Sequence, residues 1–177
     1  MPGCTGLGWS GLSGADCDTA FHRYCAELDC HKTGYGPAEQ SNGSAWVTCL
    51  NDASLVTTSY NRLSELHAPC AADGERQGMN CNAAISRFCR AEGYVSGFGP
   101  VEQEGTVAVV SCVGLPAHHH STTYTQLSTF HTPCDGTQRI GPNCNAAIKR
   151  YCVSIGYRSG FGPNENFGDN VTVTCVP

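Results

Sequence analysis

A chain of 177 residues with 13 cysteines, 14% charged residues and a formal charge of −5 is too cysteine-dense for an ordinary cytosolic enzyme. It also lacks the clustered Lys and Arg that hold nucleic acid or an anionic membrane surface. No apolar run approaches the ~18–20 residues needed to insert in a bilayer, and Met1–Trp9 has neither the basic start nor the apolar stretch of a signal peptide, so Met1 reads as a start placed on a mature or excised segment.

Taken in chain order, the first unit has a leading Cys4, then Cys17–Cys25 (CDTAFHRYC), then Thr33–Gln40 (TGYGPAEQ), and closes on Cys49. A connector, Leu50–Pro69, leads to Cys70. The second unit repeats the order with Cys81–Cys89 (CNAAISRFC), Ser96–Gln103 (SGFGPVEQ) and Cys112. A second connector, Val113–Pro133, leads to Cys134, followed by Cys144–Cys152 (CNAAIKRYC), Ser159–Asn166 (SGFGPNEN) and Cys175. Equivalent cysteines of the second and third copies lie about 63 residues apart, and twelve of the thirteen belong to the pattern. The units are residues 1–50, 51–113 and 114–177.

Within a unit, Cys81, Ala84, Ile85, Phe88 and Cys89 recur at i, i+3, i+4, i+7 and i+8, one face of a helix. Asp16, Asn80 and Asn143 stand ahead of the first helical cysteine as candidate N-caps, and Gly93 and Gly156 as helix stops. The Gly-Pro segment reads as a structured turn. The alternation around Val107, Val109, Val171 and Val173 reads as a strand. The connectors, rich in Thr, Tyr and Val, read as strand-bearing. The fold class is therefore small, disulfide-rich α+β: three tandem repeats, each a short helix bridged to flanking strands, packed either about a pseudo-threefold axis or in a row.

Helix geometry limits the disulfides. Cysteines eight residues apart on a helix are about 12 Å apart, beyond the roughly 4.4–6.8 Å that a bridge spans, so Cys81 and Cys89 do not join each other. Two pairings remain: Cys70–Cys81 with Cys89–Cys112, or Cys70–Cys89 with Cys81–Cys112. Structural zinc prefers thiolates two to four residues apart, which this spacing does not supply. No metal and no other cofactor is expected. Cys30, left over, is either free or a bridge to another chain.

The recurrent polar set is an aromatic, a carboxylate and an amide: Tyr35, Glu39 and Gln40; Phe98, Glu102 and Gln103; Phe161, Glu165 and Asn166. Such a set suits hydrogen bonding and stacking on a sugar. The structural alternative pairs each Glu with the recurrent Arg23, Arg87 or Arg150 of its own unit. His67 and His131 occupy equivalent connector positions, as hydrogen-bond donors, acid–base groups or ligands. His118–His120 reads as a solvated turn, and Trp9 and Trp46 as core filling or a stacking platform. Asp73, Asp135 and Asp169 read as turn residues. One recurrent carboxylate per unit does not supply the paired acids of a glycosidase, and no nucleophile motif is present, so the chain reads as a non-enzyme.

Repetition favours avidity over catalysis. The leading expectation is a secreted or cell-surface, multivalent, lectin-like protein whose partners are glycans or other neutral hydroxylated ligands. One alternative is an extracellular structural or adhesive subunit that self-associates into fibres or a coat. Another is a protease inhibitor presenting the Gly-Pro segment as rigid bait.

Overall fold

The computed structural model describes residues 14–41, 44–71, 73–135 and 137–177. Among them lie five helices and eight strands in three small antiparallel sheets, with five disulfides between described cysteines.

The first sheet pairs β1 (Thr33–Ser41) with β2 (Ser44–Leu50) and carries α1 (Ala15–Glu27). The second is ordered β3 (Ala53–Ser59), β5 (Val107–Val113), β4 (Ser96–Glu104), and carries α2 (Tyr60–Leu66) and α3 (Met79–Ala91). The third is ordered β6 (His118–Thr123), β8 (Asn170–Val176), β7 (Ser159–Phe167), and carries α4 (Tyr124–Phe130) and α5 (Pro142–Ser154).

The helical face read from the cysteine spacing is buried. Cys81, Ala84 and Ile85 are fully inaccessible and pack with Cys70, Cys112, Ala108 and Val110. Cys144, Ala147 and Ile148 do the same in the third sheet. Of the two pairings left open, the first is present: Cys70–Cys81 and Cys134–Cys144 pin the helix start to the preceding chain, and Cys89–Cys112, Cys152–Cys175 and Cys25–Cys49 pin the helix end to the strand. Cys17 is also bridged, and Cys4 lies outside the described residues.

Three local expectations are corrected. The helices start two residues earlier than Asp16, Asn80 and Asn143, at Gly14, Gly78 and Gly141, with φ of 100°, 90° and 89° and no side-chain cap. Glycine takes this backbone without the Cβ penalty, and it frees Asn80 to donate to Glu75 instead (2.6 Å). The Gly-Pro segments are not turns but lie inside β1, β4 and β7, where the register shifts between Tyr35 and Glu39, Phe98 and Glu102, and Phe161 and Glu165. A bulge is where a strand tolerates a residue without an N–H. The connectors hold more than a strand: each runs directly into a seven-residue helix, capped where Ser59 accepts from the Arg62 amide (3.2 Å) and Thr123 from the Gln126 amide (3.0 Å).

The sheets join in a closed order: α1 packs on β4, α3 on β7 and α5 on β1. A shared apolar cluster of Tyr35, Phe98, Phe161, Val101, Val113 and Val176 lies where they meet.

Candidate functional site

β1, β4 and β7 each deliver one aromatic ring to this meeting point. Tyr35, Phe98 and Phe161 stand edge to face, with centroids 5.2, 5.2 and 5.1 Å apart. Their exposures are only 6, 8 and 5%. Tyr35 alone carries a hydroxyl, which donates to Ser159 Oγ (2.9 Å), itself bonded to Thr48 Oγ1 (2.7 Å). Burial pushes this phenol well above its ordinary range.

The three carboxylates of the recurrent set form bidentate ion pairs, but not within their own units. Arg23 holds Glu102 (2.5 and 2.7 Å), Arg87 holds Glu165 (2.6 and 2.7 Å) and Arg150 holds Glu39 (2.7 and 2.8 Å). The within-unit pairing is thus overturned, because each helix lies against the strand of the next sheet. For Glu39, partial burial pushes the carboxyl up, but the Arg150 hydrogen bonds and charge outweigh it and hold the group below its usual range. Of the amides, Gln103 accepts from the buried Tyr60 hydroxyl (2.7 Å) and Asn166 contacts Met79 Sδ (3.5 Å). The Gln40 side chain lies outside the described residues.

His67 and His131 link helix to connector. Arg87 donates to His67 Nδ1 (3.3 Å), which leaves the proton on Nε2 to be donated to Asn80 Oδ1 (3.0 Å). Arg150, His131 and Asn143 repeat this arrangement. His118–His120 is not a turn but the start of β6: His118 and His120 meet the Tyr157 ring, and His119 Nε2 bonds Val95 O (2.7 Å). Trp46 does not fill a core, being 52% exposed on β2. Trp9 lies outside the described residues. Cys30 is a free, exposed thiol. Asp135 caps its own turn, accepting from Thr137 and Gln138 amides. Among the described residues no group of three His, Cys, Asp or Glu gathers as a metal site.

The aromatic trio lines a cavity of about 680 Å³. The glycines that begin α1, α3 and α5 also line it, so three positive helix ends surround the space. Asp18, Asn82 and Asn145, each the residue after the first helical cysteine, contribute one carboxyl and two amides, and the exposed Gln77 and Gln138 add two more amides. Asn145 reaches the Gly36 carbonyl (3.4 Å). Asp18 makes no side-chain hydrogen bond among the described residues, and burial pushes its carboxyl up to about 7.

Asn164 also borders the cavity, at the position occupied by Ala38 and Val101 in the other two strands. It is 1% exposed, donates to Thr174 Oγ1 (2.5 Å), and leaves its Oδ1 without a partner. Sequence reasoning passed over these polar residues. The available signal was the Asn of the recurrent CNAAI run, off the apolar face and unexplained by packing. No family model, no curated protein and no solved structure matches this chain.

Proposed function

We propose that this is a secreted, lectin-like binding protein whose ligand is a neutral hydroxylated molecule such as a glycan, held in the cavity between the sheets. The supporting observation is the composition of that cavity: aromatic edges, five side-chain amides and a single carboxyl, with no Lys or Arg among its described lining residues. Amides both donate and accept, matching the dual character of hydroxyls, whereas a phosphate or sulfate ligand calls for cations. The three equivalent rings, Arg–Glu pairs and Asx positions support a pseudo-threefold arrangement of three repeats. In this reading one central site is built from all three repeats, and the ligand meets Asp18, Asn82 and Asn145 in place of Glu39, Glu102 and Glu165, whose oxygens are engaged by arginine. The disulfides fit an oxidising, extracellular setting.

A glycan array followed by calorimetric titration tests the reading. Wild-type protein binds a neutral glycan, Asn82→Ala and Asn145→Ala each weaken it about tenfold, the loss of one or two hydrogen bonds, and Glu102→Gln changes affinity little. Absence of binding to every neutral glycan rejects the proposal.

A further inference from the structure

Among the described residues the first sheet is one strand short of the other two. β5 lies between β3 and β4, and β8 between β6 and β7, whereas among the described residues β2 pairs with β1 alone. Where β3 covers β5, the chain continues into α2, whose Tyr60 and Leu63 are fully buried against α3 and β5. β6 and α4 repeat this with Tyr124 and Leu127. Among the described residues nothing covers β2 and α1 in the same way. Tyr24 on α1 is 54% exposed, while Phe88 and Tyr151, at the same place on α3 and α5, are 5% and 7% exposed. Ala45 on β2 is exposed, and its counterpart Ala108 on β5 is fully buried.

An arginine marks the same gap. Arg87 Nη1 donates to Leu66 O at the end of α2 (2.8 Å), and Arg150 Nη1 to Phe130 O at the end of α4 (2.9 Å). Each sets a cation on the negative end of a helix. Arg23 engages Glu102 through Nε and Nη2, and its Nη1 meets no carbonyl among the described residues.

We propose that the outer edge of β2 and the adjoining face of α1 dock a strand–helix segment of another polypeptide. The chemistry of that segment is fixed by the two already seated in the molecule: a strand of six or seven residues, a Ser or Thr cap, then Tyr-x-x-Leu in a short helix whose last carbonyls meet Arg23. Main-chain hydrogen bonds to β2 supply affinity, as in strand addition to a sheet edge, and the Tyr and Leu side chains pack on the exposed Tyr24. Pairing of β2 with β2 of a second copy satisfies the backbone edge but leaves Tyr24 uncovered and Arg23 without a carbonyl, so the strand–helix segment is the better fit.

The probe is a synthetic peptide with the sequence of residues 53–66, added to the full chain while amide exchange of Ser44–Leu50 is followed. Binding slows exchange on the outer edge of β2 by about tenfold or more, and a peptide carrying Tyr60→Ala and Leu63→Ala gives no protection. The same segment joined ahead of Met1 by a Gly-Ser linker raises its effective concentration and protects β2 even where free peptide binds weakly. No protection in either format overturns the proposal. So does protection equal with the substituted segment, or a dimer whose β2 amides are already protected without peptide.

Discussion

Asp18 is the residue that separates the first helix chemically from the other two, which carry Asn82 and Asn145 in its place. Its carboxyl has an ordinary value of 3.8 and is raised by burial to about 7 in the folded chain. Below the lower value both folded and unfolded chains hold the proton, and the group does not affect stability. As pH rises from about 4 to about 7 the unfolded chain releases its proton first, so this group lowers stability across that window and holds the full penalty above it. Asp18→Asn removes the penalty. Urea unfolding of the two proteins at about pH 3 and pH 8 checks this: the variant matches wild type in acid and is the more stable at pH 8, and an equal difference at both pH values contradicts the assignment. The same residue shows where sequence reasoning stopped. Asp16, Asp18 and Asn82 were visible as polar residues beside a helical cysteine, but a chain gives no sign that three helix starts converge on one cavity.

At the level of elements, the apolar face of the long helices was legible because 3.6-residue periodicity and cysteine spacing reported the same surface. The impossibility of a Cys81–Cys89 bridge followed from helix rise alone. The choice between the two remaining pairings was not legible, since it depends on which strand meets which helix end. α2 and α4 were missed for another reason. Seven residues are too few to be stable from helix propensity, and these helices exist because Leu63 and Leu127, with Tyr60 and Tyr124, are fully buried in the cores beside them. Tyr60 is further sandwiched by the Arg76 guanidinium, 5.0 Å from its ring centre. Leu63→Ala therefore costs about 2–5 kcal/mol, as for a large-to-small change in a close-packed core. Ser59→Ala, which removes only the cap, costs about 1 kcal/mol. Chemical denaturation of both variants measures the contrast, and a larger loss for Ser59→Ala places the stability of α2 in its cap and not in its packing.

For the whole molecule the question is what closes the order α1 on β4, α3 on β7, α5 on β1. The recurrence of one Arg and one Glu per unit could not answer it, because in a repeated sequence every coincidence within a unit is equally a coincidence between units. The aromatic trio contributes to the attraction: each edge-to-face pair adds about 0.5–1.5 kcal/mol beyond the area its rings bury. The ion pairs are partly exposed, with Arg23 and Glu102 side chains 54% and 31% accessible, so solvent screening leaves each a weak contribution to stability, and their larger role is to fix which strand each helix meets. Arg23 and Glu102 make the cleanest case, since neither is tied to a connector carbonyl as Arg87 and Arg150 are. Arg23→Glu and Glu102→Arg each lower the denaturant midpoint slightly, the exposed pair being screened by solvent, and the double reversal recovers most of that loss in a denaturant double-mutant cycle. Combining Arg23→Glu with Glu39→Arg is the control. If helix and strand paired within one unit this second combination would recover stability, whereas in a closed order of sheets it accumulates both losses, because Glu39 belongs to Arg150.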